Sequence, residues 1–150
     1  MIAVVQRVTE ARVTVGGTVV GKIGAGLLAL VSVVREDEPK DVAWMTAKLT
    51  SLGIFRDPTG EKHFDLSVTD VGGSILVVSN FTVAADTKRG RRPSFDGAAA
   101  PETGRAMFDQ LVESLRATGV PVATGEFGGD MRVSLINDGP ATFIVNSRGE

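Results

Sequence analysis

A group of polar side chains follows an apolar run near the middle of the chain. The run from Gly73 to Val83 reads GSILVVSNFTV, and Ser79, Asn80 and Thr82 lie close to its end. Hydroxyl and amide groups at the end of a buried strand must find hydrogen-bond partners. They can bond to the backbone, or they can line a pocket and bind a polar ligand. Both interpretations stay open from this segment alone.

A concentration of positive charge comes a few residues later. The stretch KRGRR contains Lys88, Arg89, Arg91 and Arg92, which are four of the 16 basic residues in the chain. A solvated loop is the ordinary interpretation of such a run, but a cationic loop can also bind phosphate groups. Phe95 follows in RRPSF, and an aromatic ring beside arginines can stack on a nucleotide base. These five residues are therefore candidates for RNA binding.

The third feature is the Gly139–Pro140 step in SLINDGPATFIV, residues 134–145. Asn-Asp-Gly-Pro is typical of a turn, and the apolar runs on either side predict strands. The simplest interpretation is a hairpin turn. The alternative is that the step itself takes part in a functional site.

Most side chains that commonly carry out catalysis are absent. The chain has no cysteine and one histidine, which excludes thiolate nucleophiles, disulfides and zinc sites built from cysteine or several histidines. His63 lies just past a turn in GEKHFDL, where we interpret it as a surface residue rather than a triad member. The stretch GKIGAG lacks the ending of a phosphate-binding loop. The sequence therefore predicts no metal ion and no cofactor.

Length and charge narrow the possible class of protein. The chain has 150 residues, so we predict one domain, residues 1–150. Its formal net charge of -2 gives no overall positive electrostatic field that would attract nucleic acid. The start MIAVVQRVTEARV predicts a strand rather than a signal peptide. The longest apolar run, GAGLLALVSVV, is too short to span a bilayer. We expect a cytoplasmic protein without a membrane partner.

Apolar runs predict strands in the first third of the chain and again near its end. The early runs are IAVVQRV, ARVTV, TVVGKIG and LLALVSVV, and the Gly16–Gly17 step predicts a tight hairpin turn between the second and the third. DPTG, residues 57–60, predicts another turn. Later strands are predicted over GSILVVSNFTV, MRVSLIND and ATFIVN.

Two segments have apolar residues at helical spacing. The first, DEPKDVAWMTAKLTSLG, has Asp37 as its predicted cap, Pro39 in its first turn and Gly53 at its end. The second runs from Glu102 to Thr118. Its apolar stripe consists of Phe108, Leu111, Val112 and Leu115. Many strands with two separated helices predict an α+β fold, in which a mostly antiparallel, barrel-like sheet is covered by two helices.

Three segments resemble a known family. VVSNFTVAADTKRGRRPSF, VSLINDGPATF and the start MIAVVQRVTEARVTV are similar to the D-aminoacyl-tRNA deacylase (D-tyrosyl-tRNA deacylase) family. The resemblance spans Met1 to about Val145, with both internal motifs in the family's order and spacing. One difference is that the family usually has Ser-Gln-Phe-Thr-Leu where residues 79–83 read Ser-Asn-Phe-Thr-Val.

The resemblance implies a hydrolase that cleaves the ester between a D-amino acid, or wrongly attached glycine, and the 3′ end of tRNA. It implies a homodimer in which a cis Gly139–Pro140 step of one subunit enters the partner's site and excludes L-amino acids. The catalytic segment of this family corresponds here to Ser79, Asn80, Phe81 and Thr82. The implied partners are the aminoacylated 3′ end of tRNA and a second copy of the chain, with no DNA.

Further roles follow from the same resemblance. Arg7 matches a family position that holds the Gly-Pro step, and Phe127 and Met131 are candidate walls for the terminal adenosine near Phe81. No base is expected beside Thr82, so backbone N–H groups near Phe81 and Thr82, together with a tRNA hydroxyl, are expected to assist the attacking water. A non-catalytic RNA-binding homodimer that uses the basic loop is the alternative.

Overall fold

The computed structural model describes residues 1–149, which form one six-stranded sheet and two α-helices. The elements are β1 (Ile2–Val15), β2 (Thr18–Ile23), β3 (Gly26–Ser32), α1 (Pro39–Ser51), β4 (Ser74–Ser79), a short 3-10 helix (Phe81–Ala84), α2 (Pro101–Ala117), β5 (Val122–Thr124) and β6 (Met131–Asn146).

Strand β1 is the centre of the sheet because it is long enough to pair with three neighbours. Its first half pairs with β3 and its second half with β2, and β6 lies along the opposite edge of both halves, all antiparallel. The pairs β3–β4 and β4–β5 are parallel, with α1 and α2 as crossovers. The predicted α+β fold is confirmed, and the parallel pairs make the sheet mixed. Strands buried on both faces read as continuous apolar runs, so nothing local to β3 or β4 revealed their direction.

Strands β2 and β5 nearly close the sheet into a barrel. They approach each other at Gly21 of β2, where a Cβ atom would lie 2.0 Å from the carbonyl oxygen of Thr124 in β5. No side chain fits at that distance, so the glycine permits the contact between the two strands.

Alternate side chains of the central strands enter two apolar clusters. In β3, Leu27 and Ala29 belong to the cluster beneath the helices, whereas Leu28 belongs to the cluster on the opposite face of the sheet. The predicted stripe of α2 is confirmed, because its four members are all buried in the first cluster. They are Phe108, Leu111, Val112 and Leu115.

The cap of α1 differs from the prediction. Glu38 is the N-cap, and its backbone N–H donates a 2.8 Å hydrogen bond to the carboxylate of Asp41. Asp37, the predicted cap, accepts instead from the backbone N–H of Val34 and from the N-terminal ammonium of Met1. The prediction was wrong because tertiary contacts engage Asp37 and leave Glu38 and Asp41 to cap the helix.

One element end also differs from the prediction. Helix α1 ends at Ser51 with Leu52 as its C-cap, so Gly53 directly follows the helix as predicted, but β4 ends at Ser79 rather than continuing to Val83. The 3-10 helix replaces the end of the predicted strand. It forms because the side chain of Asn80 accepts a hydrogen bond from the backbone N–H two residues later, a local bond that competes with strand pairing.

The last two predicted strands form one strand, β6, in the structure. Both flanks of the Gly139–Pro140 step pair with β1, and residues 138–141 leave the ladder as a bulge opposite Arg7. The hairpin-turn prediction was therefore wrong, since the two apolar runs share β1 as a partner instead of pairing with each other. The predicted turn at Gly16–Gly17 is confirmed, with positive φ angles of 55° and 80°.

Candidate active site

The first part of the site is the bulge of β6, residues 138–141, which we call the Gly-Pro bulge. Between Gln6 and Val8 the register of β1 with β6 skips these four residues, so Arg7 alone faces them. Extra residues in one strand are unpaired and bend it locally. Gly139–Pro140 is exposed, and its peptide bond is cis.

Arg7 of β1 anchors the Gly-Pro bulge through hydrogen bonds of its guanidinium group. Arg7 is 2% exposed; its Nε donates to the carbonyl of Asp138 at 2.8 Å, and one terminal nitrogen donates to the carbonyls of Ile54 at 2.7 Å and His63 at 2.9 Å. Burial lowers the pKa of Arg7, repulsion from Arg56 lowers it further, and the carboxylate of Asp138 opposes both effects. The guanidinium stays charged, since an arginine side chain is not deprotonated in proteins.

The side chain of Asn137 links the two ends of the Gly-Pro bulge. Its Nδ2 group donates to the carbonyl of Ala141 at 3.0 Å, to the hydroxyl of Thr142 at 3.2 Å and to Oε1 of Gln6 at 2.9 Å. A Cβ atom at Gly139 would lie 2.0 Å from Oδ1 of Asn137. The bulge therefore requires glycine at this position and presents backbone rather than side chain.

Arg7 was expected from the family resemblance and Gly139 from its motif, but several residues that support them were not predicted. Arg56 pairs with the carboxylate of Asp138 at 2.8 Å, and the ring of Phe64 lies 5.4 Å from the guanidinium of Arg7. Asn137 was visible in the NDGP motif, but it was interpreted as turn chemistry. No local pattern relates Arg56 or Phe64 to a bulge so distant along the chain.

The second part of the site is residues 79–82, which we call the strand-end segment. Ser79 pairs with Val31 across β4 and β3, and the N–H of Asn80 donates to the Val31 carbonyl at 2.8 Å. Oδ1 of Asn80 accepts from the N–H of Thr82 at 3.1 Å and from its hydroxyl. Phe81 and Thr82 are exposed. Asn80 is thus folded back on its own segment, and the exposed groups belong to the two residues after it.

The predicted basic loop adjoins the strand-end segment. It is a hairpin, residues 86–94, closed by two hydrogen bonds in which Asp86 and Ser94 exchange backbone N–H and carbonyl groups at 2.8 and 2.9 Å. The ring of Phe95 meets the ring of Phe81 edge on, with centroids 5.1 Å apart. We call residues 86–94 the basic hairpin. Its exposed cationic residues are Lys88, Arg89, Arg91 and Arg92.

Phe127 and Met131 lie elsewhere in the chain. Phe127 contacts the ring of Phe108 at a centroid distance of 6.2 Å and the guanidinium of Arg105 at 5.4 Å, and it lines a cleft of about 500 Å³ beside α2. Met131 pairs with Val15, at the far end of β1. That these two residues line an adenosine site near Phe81 stays a prediction.

The Gly-Pro bulge and the strand-end segment are apart within a single chain. Ser79 of β4 pairs with Val31 of β3, which pairs with Ala3 of β1. The bulge instead faces Arg7, which lies four residues further along β1. Along the sheet, four residues at about 3.3 Å each and three strand spacings of about 4.8 Å separate the segments by about 20 Å. One chain therefore does not place Gly139 against Ser79.

Two further features concern possible metal ligands and the single histidine. Residues 1–149 contain no cluster of three or more His, Cys, Asp or Glu that could hold a metal ion. His63 is exposed, and it contacts Arg7 through its carbonyl rather than its ring. In the same part of the chain, no helix is long and apolar enough to cross a membrane.

Comparison with known proteins gives matches over nearly the whole chain. The family model described as D-Tyr-tRNA(Tyr) deacylase matches residues 4–146. A D-aminoacyl-tRNA deacylase of Geobacter sulfurreducens is 51% identical over 148 residues, which cover 99% of this chain and 96% of that protein. The corresponding protein of Pelobacter propionicus is 52% identical, with 97% of this chain and 99% of that protein covered.

Two solved structures have a similar fold. The c-Myc DNA Unwinding Element Binding Protein is 38% identical with a TM-score of 0.92, and the alignment covers 97% of this chain and 98% of that one. A probable eukaryotic D-amino acid tRNA deacylase is 16% identical with a TM-score of 0.82, covers 96% and 97% of the two chains, and shows the likeness of fold alone.

The nearly closed barrel with its two helices, together with these matches, places the protein among the hydrolases. More specifically, the chain belongs to the D-Tyr-tRNA(Tyr) deacylase family.

Proposed function

We propose that this protein hydrolyses the ester bond of D-aminoacyl-tRNA and releases the free D-amino acid and tRNA. Relatives about half identical in sequence are named for this activity. The observation that carries the proposal is the exposed Gly-Pro bulge, which Arg7 and Asn137 support on either side of Gly139. A support of this kind suits a surface that must be rigid and free of side chains.

Selection by the bulge follows from its chemistry. The carbonyls of Asp138 and Ala141 accept hydrogen bonds from Arg7 and Asn137, whereas Gly139–Pro140 lies between them, outside the β1–β6 register. In the proposal, the carbonyls of this step accept hydrogen bonds from the α-ammonium group of the substrate. An L side chain then collides with the backbone, whereas a D side chain points to solvent. Glycine has no side chain to exclude and is also a substrate.

We further propose that the complete site forms across a homodimer. Along the sheet of one chain the two segments lie about 20 Å apart, so Gly139–Pro140 of one subunit would meet Ser79–Thr82 of its partner instead. Strand β6 supports this arrangement, since Ile136 is 53% exposed and Ile144 is 75% exposed on it. Among residues 1–149, β6 pairs with β1 alone, and exposed apolar residues along such an edge are typical of a surface that another chain covers.

The reaction needs little from side chains. The hydroxyl of Thr82 donates to the amide oxygen of Asn80, which is not a base, so Thr82 is not activated as a nucleophile. The N–H of Thr82 also donates to Asn80, which leaves the N–H of Phe81, at the start of the 3-10 helix, as the oxyanion donor. Water attacks the ester carbonyl, and a hydroxyl of the tRNA's terminal ribose orients that water.

The test is to incubate the purified protein with the same tRNA charged with a D-amino acid, with the L enantiomer or with glycine. We expect the D and glycine esters to be lost and the L ester to persist. Equal hydrolysis of D and L esters, or none of either, would overturn the proposal. Because the substrate is a tRNA charged for translation, we also propose that the protein acts in the cytoplasm.

A second candidate is a non-catalytic RNA-binding homodimer. The basic hairpin favours it, since four exposed cations follow the strand-end segment. Salt-dependent binding of tRNA without any ester loss would support this candidate against the deacylase. The charged-tRNA assay distinguishes the two, since a binding module would protect the ester rather than cleave it.

A further inference from the structure

We infer that the basic hairpin, residues 86–94, binds the phosphate groups of the tRNA acceptor end next to the ester. This inference rests on the proposed deacylase function, which does not itself say how the acceptor end of the tRNA is bound beyond the ester. Residues 86–96 contain four basic and two acidic residues, which leaves 12 basic and 16 acidic residues for the rest of the chain. A local positive field on an otherwise negative protein orients a polyanion toward one place on its surface.

The basic hairpin has a defined backbone. Asp86 and Ser94 close it through their two backbone hydrogen bonds, and the carboxylate of Asp86 accepts from the N–H of Lys88 at 2.9 Å. Gly90, at the tip, has a φ of 65°, which favours glycine in a tight reversal of the chain. The cations are therefore presented from an ordered turn, which lowers the entropic cost of placing them against phosphates.

The cations of the basic hairpin are not held in ion pairs. Within residues 1–149 none of the four forms a salt bridge, whereas Arg7 and Arg56 both pair with Asp138. The nearby carboxylate of Asp86 accepts a backbone hydrogen bond. Exposed, unpaired guanidinium groups gain affinity for a nucleic acid by displacing the counterions condensed on its phosphates.

The basic hairpin is coupled to the strand-end segment. The rings of Phe81 and Phe95 are in edge-on contact and are 58% and 39% exposed, so both segments share one aromatic surface on which a base can stack. Arg89 lies seven positions after Thr82, and at most about 3.6 Å per position keeps the tip within about 25 Å of the site. Only the last nucleotides and the start of the acceptor stem fall within that reach.

The test combines charge removal with salt dependence. The double variant R89Q/R91Q removes the two arginines that flank Gly90, and K22Q/K40Q removes two exposed lysines from β2 and α1 as a control of equal charge. Binding of uncharged tRNA is measured by fluorescence anisotropy over a range of salt concentrations. We expect R89Q/R91Q to bind about 10- to 50-fold more weakly at about 0.1 M salt, and the slope of log affinity against log salt to fall by about 1.5.

The control variant is expected to keep the wild-type affinity and slope. An unchanged slope in R89Q/R91Q, or an equal loss in K22Q/K40Q, would overturn the inference, as would tighter binding of duplex DNA than of tRNA by the wild-type protein. Circular dichroism checks that the hairpin variant is folded. Because uncharged tRNA is the probe, the binding result is independent of ester hydrolysis, and a failure of the proposed function is seen separately in the charged-tRNA assay.

Discussion

The Nε atom of Arg7 donates a 2.8 Å hydrogen bond to the carbonyl oxygen of Asp138, the residue immediately before Gly139–Pro140. The same guanidinium donates to the carbonyls of Ile54 and His63. Three carbonyl dipoles thus hold one buried cation, and charge-assisted bonds of this kind are stronger than neutral ones. The Gly-Pro bulge is therefore anchored at one point of β1, although its own residues lie outside the ladder.

The variant Arg7→Lys tests this anchor. An ammonium group does not reproduce the planar fork of a guanidinium, so at least one of the carbonyls loses its donor. We expect the free energy of unfolding to fall by about 2 kcal/mol and kcat/KM for D-aminoacyl-tRNA to fall about tenfold or more. Urea denaturation and the deacylation assay measure the two effects. Arg12→Lys, exposed on the same strand, is the control; equal results for both variants would contradict the role of Arg7.

Gly139→Ala tests whether the bulge must be free of side chains. The new Cβ atom would lie 2.0 Å from Oδ1 of Asn137 and 2.4 Å from the N atom of Ala141, so the bulge must shift. We expect kcat/KM for the D ester to fall about 100-fold, since displacements near 1 Å have effects of that order. Gly24→Ala is the matched control, because a Cβ atom there meets nothing within 4 Å. Similar activities in the two variants would show the step to be structural only.

Thr82→Ala tests the chemical role of the hydroxyl. Because this hydroxyl donates to the amide of Asn80 and no base adjoins it in the site described above, we expect the variant to keep activity within about tenfold of wild type. Single-turnover deacylation measures the chemical step, and Thr82→Ser is the conservative control. A loss of about 1,000-fold or more in a folded Thr82→Ala protein would instead assign a nucleophilic or polarising role to the hydroxyl.

Mixing two inactive variants tests the proposed cross-subunit site. Gly139→Ala has an intact strand-end segment, and Ser79→Tyr, which fills that segment with a bulky ring, has an intact bulge. If the site forms across a dimer, each mixed dimer has one of its two sites intact. Random mixing of equal amounts makes about half of the dimers mixed, so about a quarter of wild-type activity returns. The variants are co-refolded, and deacylation is compared with each variant alone. No recovery in dimers shown to be mixed would place both segments in the site of one subunit.

Acid stability reports on a polar cluster distant from the Gly-Pro bulge. Burial raises the pKa of Asp41, but hydrogen bonds from Ser147 and the N–H of Glu38, with attraction to Arg148, outweigh burial and lower it. A carboxyl whose pKa is depressed by folding stabilises the fold above its unfolded pKa, and this stability is lost as pH falls through the folded value.

Asp41→Asn should therefore be less stable than wild type at neutral pH, and the difference should shrink as the pH falls below about 4. Denaturation midpoints measured from neutral pH to about pH 2.5 check this. The exposed carboxylate of Asp130 provides the control in Asp130→Asn. A difference that does not change with pH would show that Asp41 contributes packing rather than charge.

Much of the fold follows from patterns that are local in the sequence. The stripe of α2 and the glycine turn after Val15 were predicted correctly because helical periodicity and positive φ angles depend on neighbouring residues alone. The strand-end segment, the basic hairpin and the Gly-Pro step were recognisable for the same reason, as short stretches with unusual composition. The predictions of a helix cap at Asp37 and of a strand through Val83 were wrong, because a side chain in each segment had a competing hydrogen-bond partner.

The sequence by itself determined the two kinds of element and the residues from which a site can be made. Only the tertiary structure decided that NDGP is a bulge rather than a hairpin turn, because that depends on β1 pairing with both flanks of Gly139–Pro140. It also decided that Arg7 and Arg56 meet Asp138, since residues far apart along the chain are brought together by strand pairing and packing. Local patterns carry periodicity, whereas the choice of partner is a property of the whole folded chain.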